Sequence, residues 1–287
     1  MYLAYFGLQE PPFRITPDTK FLFLTQQYES ALDSLAYAIQ ERMGFLVLTG
    51  EVGTGKTLLT RQLLARLEPD VASALLVNPL LSVPELLTAI NRDFGLAVRV
   101  YSPQRLIESL NKFLLTLQKS GRTALVVVDE SQNLSIEALE MVRMLSNLET
   151  ENAKLLQILL VGQPELERKL MSHELRQLRQ RIGVHVRLEP LPFLQMVRYI
   201  THRITLAGGQ GRVYFEPGAY RSIYRLTHGY PRLINVLCDR ALTAAYTLDT
   251  PILTKRVVRH AYYDLRPRRP LAPVWQFWRR QVVNLGF

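Results

Sequence analysis

Apolar and polar positions fall into two regimes along the chain. Up to about residue 188, short apolar runs alternate with longer helical stretches. The runs at 45–49, 74–77, 124–128, 156–161 and 184–188 have the length and apolar content of buried strands. Such strands separated by helices predict a mostly parallel sheet covered on both faces. Around Pro190-Leu191-Pro192 the pattern changes. From 193 to 263 the periodicity is helical, through Met196, Ile200, Ile204, Ile223, Leu226, Leu233, Leu237 and Leu242, with no convincing strand. The second regime therefore predicts a small all-helical domain.

The apolar run at 45–49 leads directly into Gly50-Glu51-Val52-Gly53-Thr54-Gly55-Lys56-Thr57, a complete G-x-x-x-x-G-K-[ST] motif. Leu58 opens a helical stretch with no Gly or Pro before Pro69. Strand, glycine-rich loop and helix in that order are the context in which the motif binds phosphates. Glycines let the backbone turn its N–H groups toward phosphate oxygens, and the following helix N-terminus adds positive potential there. In this reading Lys56 sits on the β and γ phosphates of a nucleotide, and the Thr57 hydroxyl ligates Mg²⁺. A second acidic element is present in Ala124-Leu125-Val126-Val127-Val128-Asp129-Glu130. A hydrophobic strand ending in Asp-Glu supplies a metal-holding carboxylate, Asp129, and a water-activating one, Glu130.

Composition narrows the class. The chain has 287 residues, 48% hydrophobic and 21% charged, as expected of a soluble globular protein. The longest uncharged stretch, 71–84, contains Ser, Asn and Pro and is too short to span a bilayer. The first residues lack the basic and apolar regions of a signal peptide. A single cysteine, Cys238, excludes an intrachain disulfide and lies in an apolar helical pattern, so it reads as a buried structural thiol. A reducing, cytoplasmic setting is the default expectation. The net charge of +10 favours polyanionic partners such as nucleotides, nucleic acid or an anionic membrane face. That charge gathers at Arg176, Arg179, Arg181 and Arg187, and again at Arg266, Arg268, Arg269, Arg279 and Arg280.

Several further motifs occur in order: Val-Val-Asp-Glu-Ser-Gln, LLQILLVGQPEL around 156–166, Leu175-Arg176-Gln177-Leu178-Arg179-Gln180-Arg181-Ile182, and Gly229-Tyr230-Pro231-Arg232-Leu233-Ile234-Asn235. The opening has Tyr5-Phe6-Gly7-Leu8, Pro11-Pro12-Phe13 and Thr16-Pro17-Asp18. With the glycine-rich loop, these motifs make residues 1 to about 264 resemble the AAA+ ATPases of the GspA/ExeA/MshM group. The resemblance implies a P-loop AAA+ three-layer αβα sandwich on a five-stranded, mostly parallel sheet, plus a small all-helical lid. Its divisions are 1–43, an N-terminal segment packing on the ATPase core; 44–190, the nucleotide-binding domain; 191–265, the lid; and 266–287, a basic and aromatic tail.

The same resemblance implies ATP and Mg²⁺ as cofactors and a homo-oligomer, most simply a ring. It implies roles for matching positions. Gln163 matches a sensor of the γ-phosphate, although a Gln there also suits a cap on the turn at Pro164. Arg232 matches a second sensor reaching the nucleotide from the lid. Arg179 and Arg181 lead the cluster from which one arginine enters a neighbouring subunit's site. Asn78 could hold Glu130 in an inactive pose, or serve as a turn residue before Pro79. Ser131 stands where the family commonly has Ala.

Family members serve secretin assembly in secretion systems, or biogenesis of the mannose-sensitive haemagglutinin type of type IV pilus. Secretion-type relatives continue into a transmembrane helix and a peptidoglycan-binding domain. This chain stops at Phe287, so a short, pilus-type member is expected, placed in the cytoplasm or peripherally at the inner membrane. The tail carries Trp275, Phe277 and Trp278 among arginines, which suits docking on a partner or on the protein itself, or contact with a membrane interface. The runner-up reading is a DNA-binding ATPase regulating transposition, similar to the TnsC-like regulators, and it rests on the positive charge.

Overall fold

The computed structural model describes residues 2–16, 19–77, 81–98, 102–150 and 153–265. Asn78, Pro79, Pro17, Asp18 and the whole 266–287 tail lie outside them, and with them the expectations placed on Asn78 and on Trp275, Phe277 and Trp278.

Five strands form one sheet: β1 (Phe45–Gly50), β2 (Val71–Leu76), β3 (Thr123–Val128), β4 (Leu156–Gly162) and β5 (Ile182–Leu188). Their order is β2-β3-β4-β1-β5, and every pairing is parallel. All five expected strands are present. The expected run at 74–77 is displaced: the strand is Val71–Leu76, and Val77 lies beyond its end, 67% exposed.

The central strands β1, β3 and β4 are buried along their whole length, which is why their sequences are continuously apolar. Alternate residues still serve opposite faces. Val47, Val126, Val128, Ile158 and Leu160 pack against the helices Val83–Asp93, Pro103–Lys119 and Ile136–Leu145. Leu46, Leu48, Val127, Leu159 and Val161 pack against the helices Gln26–Gln40 and Lys56–Arg66. The result is three layers. The edge strand β5 alternates half-buried and exposed positions before ending in buried Leu188.

Two compact units divide the chain. The sheet unit comprises residues 15–202 and 228–233. The second unit comprises, among described residues, 2–14, 203–227 and 234–265. The opening segment therefore divides after Arg14. Residues 15–43 bring the helix Gln26–Gln40 to the sheet, with the Thr25 hydroxyl capping its start by accepting from the Tyr28 N–H at 3.1 Å. Residues 2–14 belong to the helical unit instead. There the buried Arg203 guanidinium donates to the Pro12 carbonyl at 2.6 Å, and the Tyr2 hydroxyl donates to Asp239 at 2.7 Å.

The helical unit is not free of strand. Tyr214–Phe215 and Ile252–Leu253 form a parallel pair, too short for alternation to signal in sequence. Cys238 is fully buried, and burial pushes its thiol well above the usual range, as suits a structural residue.

Leu159 lies at the centre of β4 with no exposed surface. Leu159→Ala is expected to lower unfolding free energy by about 2–5 kcal/mol, read from the midpoint of urea denaturation, since it leaves a cavity between sheet and helix.

Candidate functional site

Parallel strands in this order bring the C-terminal ends of β1, β3 and β4 to one edge. The register sets Thr49 beside Gly162 and Val128 beside Leu160. The segments leaving these strands are therefore clustered: the glycine-rich loop after β1, Asp129-Glu130 after β3, and Gln163 after β4. Ligands of open parallel sheets collect at such an edge.

The loop is built by backbone conformations that side chains disfavour. Gly53 has φ +82° and Gly55 φ +103°, the latter just before the helix Lys56–Arg66. Thr54 closes the turn, its hydroxyl donating to the Glu51 carbonyl at 2.9 Å. Val52 is exposed at the tip, and Leu58 faces partly inward from the helix's first turn.

Lys56 is only 6% exposed, and its ammonium donates to the carbonyls of Gly50 at 2.7 Å and Glu51 at 3.1 Å. Burial pulls its pKa below the usual lysine value, against the opposing pull of Glu130, Asp129, Glu51 and Glu165. Asp129 is 4% exposed, and burial pushes its carboxyl above the usual range. The Glu130 N–H and the Thr57 hydroxyl oppose that rise; the Glu130 charge adds to it and Lys56 reduces it. Thr57 donates to Asp129 at 3.2 Å. Each buried charge thus lacks full compensation. An anion beside Lys56 and a divalent cation between Thr57 and Asp129 would supply it, so these residues fit a magnesium-bound triphosphate.

Glu130 occupies a left-handed backbone conformation, φ +56°, uncommon outside glycine and asparagine. One of its oxygens, Oε2, accepts from Gln132 Nε2 at 2.6 Å and from Gln163 Nε2 at 3.0 Å. Burial pushes its carboxyl up, but the two amides and then the Lys56 charge outweigh burial and leave it below the usual value. Gln163 sits at the N-cap of Pro164–Leu170, yet its side chain makes no cap bond; it is turned to Glu130 instead.

Arg232 lies against the loop. Its N–H donates to the Gly53 carbonyl at 3.3 Å, and a Cβ on Gly53 would fall 2.5 Å from Arg232 Cβ. The other expected arginines bond elsewhere. Arg179 reaches the Met171 carbonyl and sulfur, each at 3.4 Å, and Arg181 reaches Ser146 and Asn147, none of them loop residues.

Three features carried no signal in the sequence. Gln132 was visible only as the end of the Asp-Glu-Ser-Gln run. Ser131 anchors the turn after β3, its buried hydroxyl donating to the Val128 carbonyl at 2.6 Å. Thr49, one residue before the loop, donates to Glu167 on the helix after Gln163 and contacts His185 Nε2 of β5 at 2.8 Å. Arg187 joins this group through Glu167 at 3.6 Å and Glu189 at 2.9 Å.

Residues 39–170 match the AAA domain family. The chain is 42% identical to general secretion pathway protein A of Aeromonas hydrophila over 266 residues. That match covers 92% of this chain and 48% of the relative, so the chain spans about half the relative's length. Among solved structures, Cdc6p of Pyrobaculum aerophilum superposes with a TM-score of 0.66 at 16% identity, over 94% of this chain and 74% of that one. The ORC2 protein of Aeropyrum pernix, in its ADPNP–ADP complexes, gives 0.62 at 17%, over 94% and 75%. Drosophila ORC bound to DNA gives 0.67 at 18%, over 100% and 69%. At such identities these three share the fold alone.

The loop and the buried carboxylate each carry a test. Gly53→Ala adds a strained φ and a clash with Arg232, and is expected to weaken binding of a fluorescent ATP analogue by about tenfold or more. Asp129, with its carboxyl raised, stabilises the fold below the ordinary carboxylate range and loses that contribution as pH rises through its folded value. At neutral pH its ionised form is a cost. Asp129→Asn is therefore expected to raise the melting temperature of the nucleotide-free protein while abolishing the extra stabilisation that Mg²⁺ gives over nucleotide alone.

Proposed function

We propose that this chain is a GspA/ExeA-type AAA protein that binds and hydrolyses ATP–Mg²⁺ to drive or switch assembly of envelope machinery, a reading supported by the AAA-domain match and by the 42% identity to general secretion pathway protein A. That machinery is a type II secretion apparatus or a type IV pilus of the mannose-sensitive haemagglutinin type. The observation that carries the hydrolytic reading is the convergence of Lys56, Thr57, Asp129 and Glu130 at one sheet edge, with both central charges buried. The support for the envelope role is the identity to general secretion pathway protein A over nearly the whole chain.

In the proposed mechanism, the N–H groups of Gly53, Thr54, Gly55, Lys56 and Thr57 surround the phosphates. Lys56 exchanges loop carbonyls for β- and γ-phosphate oxygens. Thr57 and Asp129 would hold Mg²⁺, which would supply positive charge to offset the charge that develops on the phosphates. Glu130 orients the attacking water and takes its proton. Gln163 reads the γ-phosphate, and Arg232 contacts the nucleotide from beside Gly53. Arg179 or Arg181 completes the site of an adjacent copy, so the working form is an oligomer, most simply a ring. Within it, the sheet unit, residues 15–202 and 228–233, acts as the ATPase core and the helical unit as the lid, with bounds that differ from the 44–190 and 191–265 expected from the sequence. No helix among the described residues is long and apolar enough to cross a membrane. On the identity to general secretion pathway protein A we place the protein in the cytoplasm or peripherally at the inner membrane.

The net charge of +10 favours one other reading, an ATPase that acts on DNA. An ATP-dependent, salt-sensitive shift of duplex DNA would support it, and no shift at low salt would discard it.

Purified protein is expected to hydrolyse ATP in a Mg²⁺-dependent way, with specific activity rising with protein concentration. Glu130→Gln is expected to bind ATP as tightly as the parent and to turn over at least about a hundredfold more slowly. ATP binding without any turnover by concentrated parent protein would sink the hydrolytic reading.

A further inference from the structure

The turn after β3 does not need the Gln132 side chain to hold its shape. Ser131 ties it to the Val128 carbonyl at 2.6 Å, and the Asn133 and Leu134 N–H groups close it onto Glu130 and Ser131. Lys169 Nζ, from the helix Pro164–Leu170, donates to the carbonyls of both Gln132 and Leu134 at 2.6 Å. With the backbone secured in this way, the Gln132 amide serves two other groups. Its nitrogen donates to Glu130 Oε2 at 2.6 Å, and its oxygen accepts from the Gln163 N–H at 3.1 Å.

Room for that amide is made in the opposing strand. Gly162, the last residue of β4, lies next to Gln163, and a Cβ there would stand 3.0 Å from Gln132 Oε1. The Gln163 amide returns to the same Glu130 oxygen at 3.0 Å. The three side chains form a closed triangle: Glu130 to Gln132, Gln132 to the Gln163 backbone, and the Gln163 side chain back to Glu130. The left-handed backbone at Glu130, a sparsely populated conformation for a residue with a side chain, is consistent with a side chain whose direction is imposed.

We infer that Gln132 is a positioning residue for water activation, pinning one oxygen of Glu130 and coupling it to Gln163 so that base and phosphate sensor move as one. The inference rests on the reading of Glu130 as the base. With Oε2 held by two amides, Oε1 is the oxygen that takes the water, and the rotation of the carboxylate is fixed. Losing the Gln132 amide leaves Oε2 one donor and frees that rotation. Misplacement of a reacting group lowers turnover without weakening binding of the rest of the substrate.

The test uses the full chain with Gln132→Ala and Gln132→Asn; the second keeps a polar amide but shortens its reach. Both are expected to lower kcat about ten- to a hundredfold. KM, the affinity for fluorescent ATP and the melting temperature should stay close to the parent's, a split that a merely structural role would not produce. In the Glu130→Gln background, Gln132→Ala should slow the residual rate no further, because it acts through Glu130. Parental or faster turnover in both variants overturns the inference, as does a rate loss matched by equal losses in ATP affinity and melting temperature. An undiminished Gln132→Ala effect in the Glu130→Gln background overturns it as well. A Glu130→Gln protein with normal turnover is the separate result that removes the base assignment, and this inference with it.

Discussion

An ammonium group with almost no contact with water governs this site. Lys56 begins a helix directly after a glycine, and its charge rests on the carbonyls of Gly50 and Glu51. Burying a cation is costly unless polar groups surround it, and here backbone carbonyls do so first. The arrangement needs residues 50–55 to fold back over the lysine, which in turn needs Gly53 and Gly55 in conformations closed to other side chains. It also needs a strand that delivers the loop in a fixed direction. β1 does this because it is buried between β4 and β5 along its whole length. A phosphate offers the same ammonium a full counter-charge, so the feature that burdens the fold is the one that favours an anion.

Asp129 is the complement. It follows a strand two places away in the sheet and is buried at least as deeply. Its partners are one N–H and one hydroxyl, too few to match the desolvation it suffers. Lys56 and Asp129 offset one another only in part, since each remains displaced from its usual value in the direction burial dictates. A magnesium-bound triphosphate, the proposed ligand, would relieve both at once, and neither half of it would do so alone. The coupling is a property of the parallel sheet, because only strands running the same way place loop and carboxylates on one edge.

Legibility in the sequence divides along the same line. The loop motif, the apolar strand ending in Asp129-Glu130 and the strand–helix alternation are local patterns, and the structure contains them nearly where they were expected. Strand ends were less legible: β2 begins three residues early and stops before Val77, because an edge strand is only partly buried and its apolar pattern is diluted. The pairing of Tyr214–Phe215 with Ile252–Leu253 joins segments nearly forty residues apart, with no local mark. The Gly229-Tyr230-Pro231-Arg232 motif singled out Arg232 as a nucleotide contact, whereas its packing on the bare Cα of Gly53 has no mark in the sequence. Gln132 and the Thr49–Glu167–His185 contact were invisible for a related reason. Each joins polar residues whose meaning lies wholly in the partner, and partners come from other strands.

That last contact bears on how the site could pass on its state. Gln163 and Glu167 lie on one short stretch, the first turned to Glu130 and the second bonded to Thr49 at the base of the loop. Lys169, two residues further on, holds the turn that carries Glu130 and Gln132. The helix Pro164–Leu170 therefore links the end of β1, the Gln163 N-cap and the turn that carries Glu130 and Gln132, across only seven residues. Met171 comes immediately after it and receives Arg179. In the proposed mechanism a displacement of Gln163 toward a phosphate would pull on this helix, whose far end is tied through Lys169. Arg179, one of the two arginines proposed to enter a neighbouring copy, is bonded just beyond that end through exposed contacts that cost little to exchange. In the proposed oligomer, those exposed Arg179 contacts would yield to a second chain while the bonds among Glu130, Gln132 and Gln163 keep the geometry of the site.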